Sequence, residues 1–152
     1  MTNQTRNREN LGEPDIELAG LQIWVHGHQF QDNEDYWDAN WLNVTAHCGA
    51  QGASVWVSGN IIQLPEIAHL MTGAKTLYKD LKGKAELPCI EPELFVELEA
   101  KSLGQISMTV KITPDNLSQS HTFSFDVDQS FLPRLIENCD AVLKKFPIKG
   151  KP

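Results

Sequence analysis

The chain has 152 residues, 41% of them hydrophobic and 22% charged, which suits one globular domain able to bury a core without a metal or disulfide staple. Its net charge of -7 argues against a general nucleic-acid binder, which needs a basic face to neutralise phosphates, and favours cationic partners instead. Cys48, Cys89 and Cys139 are odd in number, far apart and without CxxC spacing, so reduced thiols among apolar residues are expected rather than a disulfide framework or a zinc site.

Residues 1–14 are polar and read as a disordered lead-in ending near Pro14. They hold no apolar signal core, and no run approaches the roughly 18 apolar residues that span a bilayer, so a cytoplasmic protein away from membranes is expected. Alternation over 16–25, with Ala19, Leu21, Ile23 and Val25 on one face, predicts a first strand. Residues 26–40 are rich in Gly, Asn and Asp and predict a loop. A second strand is expected over 41–48 and a third over 53–58, joined by a turn at 49–52, with a short extended piece at 61–63.

Pro65 suits the first turn of a helix whose apolar stripe runs from Ile67 through Leu70, Ala74 and Leu77 to Leu81, with Gly83 as its stop. A Pro-containing connection leads to three alternating segments, 94–101, 105–113 and 121–127, separated by short turns, which imply an antiparallel meander. A last helix is expected over 130–146 with Ser130 as N-cap, followed by a frayed basic tail over 148–152. The whole reads as one α+β domain over 15–147, with six to seven antiparallel strands packed by two amphipathic helices and no internal repeat.

Three constellations bear on chemistry. His26 and His28 alternate on a strand, so their imidazoles would point the same way and could share a metal with His47 or Asp32, but no complete ligand spacing follows. Cys48 adjoins His47, yet neighbours on a strand face opposite sides and cannot form a nucleophile–base pair. No Gly-x-Ser-x-Gly elbow, phosphate-binding glycine loop or EF-hand loop occurs, so no enzyme activity and no cofactor are expected. The third is the segment 30–41, FQDNEDYWDANW, where Asp32, Glu34, Asp35 and Asp38 interleave with Tyr36, Trp37 and Trp41. Acids that attract a basic partner and aromatics that supply contact area are the ingredients of a recognition loop. The bland alternative tucks the tryptophans into the core and leaves the acids to solvate the loop. A second acidic block, Glu86, Glu91, Glu93, Glu97 and Glu99, has no Lys or Arg within it and would extend a one-signed patch.

The phrase at 37–44, Trp-Asp-Ala-Asn-Trp-Leu-Asn-Val, preceded by Gln29-Phe30, resembles the start of the WapI-type immunity protein family. The order of predicted strands and helices over 16–146 is also similar to that family. Gln31 departs from its pattern, which has Pro after the Phe. The resemblance implies a non-catalytic protein that neutralises the toxic C-terminal domain of a polymorphic toxin by stoichiometric binding, the best-known partner class being a ribonuclease with a basic groove. Asp32, Glu34, Asp35, Tyr36, Trp37 and Asp38 are the expected partner-binding residues on the loop's own chemistry, since the resemblance assigns no contact residue. A small-molecule binding module with a pocket between sheet and helices is the alternative reading.

Overall fold

The computed structural model describes Arg8 and residues 10–152. Strands β1 (Ile16–Leu18), β2 (Leu21–His28), β3 (Trp41–Ala50) and β4 (Ala53–Gln63) form one antiparallel sheet in sequence order. A short helix α1 (Tyr36–Ala39) interrupts the β2–β3 connection, and helix α2 (Leu64–Asp80) follows β4 directly. Strands β5 (Lys84–Leu87), β6 (Leu94–Ala100), β7 (Gln105–Ile112) and β8 (Thr122–Asp128) form a second antiparallel sheet in sequence order, and helix α3 (Leu132–Lys145) closes the chain. The α+β class and the antiparallel meander are as expected, with eight strands rather than six or seven.

Each half is therefore a four-stranded meander followed by a helix, a repeat of topology that no sequence similarity announces. Alternation explains the core. Leu42, Val44, Ala46 and Cys48 of β3, and Leu94, Val96 and Leu98 of β6, point inward and join one apolar cluster with residues of both helices. Helix α2 packs on β5 and on α3, α3 also meets β1, and β3 and β4 touch the second sheet through β7 and β8.

Four local expectations need correcting. The segment 16–25 is not one strand: Ala19 takes a left-handed φ of +49° and Leu18 pairs with Leu21, so a tight hairpin splits it. Residues 61–63 are continuous with 53–58 in β4, where a register shift sets Asn60 and Ile61 opposite Asn43 alone. The Pro-containing connection holds β5, whose four residues are too few to show a period and which pairs with β6. Ser130 does not cap the final helix: it lies in a 3-10 turn (Gln129–Phe131) capped by Asp128, whose carboxylate accepts from Ser130 N at 2.8 Å, and the helix begins after Phe131 with no side-chain cap.

Candidate functional site

The loop joining β2 to β3 is short enough to be held at both ends. Gln29 N donates to Trp41 O at 2.8 Å, and α1 starts with Ala39 N bonded to Asp35 O at 2.7 Å. Its anchor is Asn40, only 1% exposed. The Asn40 amide donates to Tyr36 O and to Lys149 O, each at 2.9 Å, and its Oδ1 accepts from Lys149 N at 2.8 Å. Lys149 Nζ donates to Gln31 O at 3.1 Å. One buried amide thus satisfies three backbone groups of two distant segments, the role a buried polar side chain must fill to offset its desolvation.

This anchoring leaves the predicted residues on the outside. Asp32, Glu34, Asp35 and Asp38 are exposed, and none of their carboxylates enters an ion pair with a described residue. Trp37 is 63% exposed, and its ring meets Tyr36 edge to face at 5.0 Å. Of the bland reading, the tucking of Trp37 into the core is not found and Trp41 is half-buried, while the acids do face solvent as that reading has it. Residues 36–39 form a helical turn within the predicted loop, which presents Trp37 and Asp38 from a fixed backbone.

The same end of the molecule carries the start of α2. Glu66, 7% exposed, accepts from Gln63 N at 2.7 Å through one oxygen and from Ile90 N at 3.1 Å through the other. Gln63 Nε2 in turn donates to Trp37 O at 3.3 Å. The reciprocal capping box of Gln63 and Glu66 therefore ties the acidic loop to the β5–β6 connection, where Ile90 is 70% exposed. Burial pushes the Glu66 carboxyl above its ordinary value of 4.5, outweighing the two backbone donors that pull it down. A raised carboxyl takes up a proton on folding, so its contribution to stability is greatest below pH 4.5 and falls as pH rises through the raised value. Denaturant melts of Glu66→Gln at a series of pH values should show a flatter profile above pH 4.5 than the parent; an unchanged profile refutes the assignment.

The other sequence candidates separate. Gly27, at φ +151°, sits where the β2–β3 register shifts, and the two flanking histidines are drawn apart. His26 Nε2 meets Thr45 Oγ1 at 2.8 Å on the outer face, whereas His28 Nδ1 meets Ala39 O at 3.1 Å and its ring abuts Phe146. The shared direction expected of them is lost to the bulge. His47 lies outside, against Trp56, while Cys48 is fully buried and its thiol is pushed up to about 12 by burial. The second acidic block is not one-signed, because Lys84, directly opposite Glu99, reaches Glu97 at 3.3 Å and Glu99 at 3.6 Å, and Lys101 reaches Glu99 at 2.6 Å.

Sequence reasoning missed an aromatic array on the outer face of the first sheet. Trp24 and Trp56 stack with ring centres 5.8 Å apart, and His47 tilts over Trp56 at 4.3 Å. Trp24 Nε1 donates to Gly12 O at 3.0 Å, which lays the start of the domain across this face. The signal was available in the alternation itself, which sets Trp24, His47 and Trp56 on the side opposite the core.

Among the described residues no helix is long and apolar enough to cross a membrane. The family described as "Immunity protein WapI-like family" matches residues 14–147. No curated protein matches the chain. Solved structures similar to it include WHY3 from Arabidopsis thaliana, at 12% identity over 84% of this chain and 83% of that one, with a TM-score of 0.48. WHY1 from Arabidopsis thaliana is 11% identical over 84% of this chain and 86% of that one, with a TM-score of 0.49. MRP1/MRP2 of Trypanosoma brucei is 11% identical over 96% and 94%, with a TM-score of 0.44.

Proposed function

We propose, from the premise that this chain belongs to the Immunity protein WapI-like family, that it is a non-catalytic binding protein which neutralises a cognate toxin domain by forming a stoichiometric complex with it. The observation that carries the reading on the structural side is the anchored loop over 30–40, with Trp37 standing 63% exposed among four exposed carboxylates that form no ion pair with a described residue. A large exposed aromatic on a fixed backbone loses little conformational entropy on docking, and aromatic anchors dominate interface energies. The acids favour a partner whose own surface is basic, as the groove of a nuclease is, and they speed its approach.

The proposed contact residues are Asp32, Glu34, Asp35 and Asp38 for attraction, with Tyr36 and Trp37 as anchors. The test uses a purified cognate toxin domain. Toxin activity should fall in proportion to added chain and vanish at equivalence, and affinity should weaken as salt is raised. Inactivation by far less than an equivalent of chain would mean turnover, and absence of any complex would remove the reading altogether.

A further inference from the structure

We propose that the cleft between Trp56 and Glu93 is a seat for an arginine side chain of a partner polypeptide, occupied in the free protein by the chain's own Arg8. The cleft has a volume of about 180 Å³ and is lined by Arg8, Trp56, Val57, Ser58, Glu93 and Pro114. It lies beside β4, an edge strand of the first sheet, and shares no lining residue with the loop over 30–40. The claim does not rest on the immunity reading, and its test needs no toxin.

Two features of the cleft ask for a guanidinium. The first is already answered in part: the Arg8 guanidinium carbon lies 4.7 Å from the centre of the Trp56 ring, a cation–π stack. The second is unanswered. Glu93 Oε2 is buried without a hydrogen-bond partner, and among the described residues no ion pair joins Arg8 to Glu93. A buried carboxylate oxygen with no donor is costly, and such groups call for an explanation. Arg8 meets the aromatic half of the seat and leaves the acidic half unserved.

An arginine arriving from a partner is not restrained by a link to Gly12 and Trp24, as Arg8 is through the chain. It can place its planar fork on the carboxylate while its face covers the indole, a combination that the compact ammonium of lysine cannot reproduce. The cleft walls are held in place. Glu93 O accepts from Thr113 N at 2.9 Å, which fixes the loop that bears Glu93 against the residue before Pro114. Trp56 is backed by Trp24 and His47 on its own sheet. The protein's charge of -7 draws a cationic segment toward any such seat.

The experiment titrates the peptide amide Gly-Arg-Gly into 15N-labelled protein and follows the Trp56 indole resonance, with Gly-Lys-Gly as the comparison. Removing the occupant by Arg8→Ala should tighten Gly-Arg-Gly binding by about three- to five-fold, the worth of one exposed cation–π contact. Adding Glu93→Gln to Arg8→Ala should then weaken it by at least about ten-fold, since a hydrogen bond to a charged partner is lost. Gly-Lys-Gly should bind several-fold more weakly than Gly-Arg-Gly throughout. Arg8 is exposed, so the comparison of Arg8→Ala with the parent leaves the core untouched. Equal binding by those two, equal binding by the arginine and lysine peptides, or indifference to Glu93→Gln would each show that the cleft is only the resting place of Arg8.

Discussion

Replacing Asp32, Glu34, Asp35 and Asp38 together with lysine is expected to weaken binding of the toxin domain by at least about 100-fold at physiological salt, mostly through a slower association rate. Reversing four charges moves the net charge from -7 to +1, which turns attraction of a basic partner into repulsion at the loop proposed to meet it. None of the four carboxylates pairs with a described residue, and all four side chains are exposed, so unfolding stability should stay within about 0.5 kcal/mol of the parent. The salt dependence should shrink or invert at the same time. Trp37→Ala should act differently, raising the dissociation rate with little change in salt response, because its contribution is contact area. Stopped-flow association measured across a salt series separates the two effects. Unchanged affinity in the four-lysine variant removes this loop from the interface, while the family's mode of action could survive on another face.

Gly20→Ala should destabilise the fold by about 3 kcal/mol or more, a size reached when added bulk has no room to relax. A Cβ at Gly20 would overlap the carbonyl oxygen of Gly49 and lie 2.8 Å from Phe125 Cζ. Phe125 can turn aside, but the Gly49 carbonyl cannot, because Gly49 is paired to Ser54 in the β3–β4 ladder and its amide donates to Gly20 O at 3.0 Å. The backbone overlap therefore falls within the first sheet, between the tip of the β1–β2 hairpin and β3, and the Phe125 contact adds β8 of the second sheet. At this size the loss lowers the melting temperature by roughly 2–4 °C per kcal/mol, or on the order of 10 °C. A melting temperature within a degree or two of the parent would mean that the hairpin tip shifts freely against Gly49 of β3.

How far the fold was legible depended on period and length. Segments long enough to show a period, such as β6 and β7 or the stripe of α2 from Ile67 to Leu77, were read correctly because side-chain alternation and helical spacing report burial directly. Residues 16–25 misled because Ala19 stays in phase with Leu21 and Ile23 while the chain reverses at a left-handed Ala, and Ala has no special claim on that conformation. Strand β5 was hidden by its four residues, and the bulge at Gly27 broke the rule that put His26 and His28 on one side. The acids and aromatics of the loop were visible as chemistry. Their anchoring was not, since Asn40 and Lys149 are separated by 109 residues and nothing local links an Asn to a distant backbone. The seat at Trp56 was equally invisible, because Trp56 lies on β4 and Glu93 in the β5–β6 connection, with nothing local in the sequence to link them.

The bonds between Asn40 and Lys149 have a practical side for anyone who handles the protein. They make the last few residues a strut of the loop that carries Trp37, although those residues lie beyond the final helix. A version clipped after Pro147 would keep both sheets and both long helices yet free the amide of Asn40, and with it the turn at Tyr36. Such a version would unfold almost normally and bind poorly, which would look like a defect in recognition while being one of carpentry. Purification handles placed directly after Pro152 carry the same hazard, and a spacer there is the remedy.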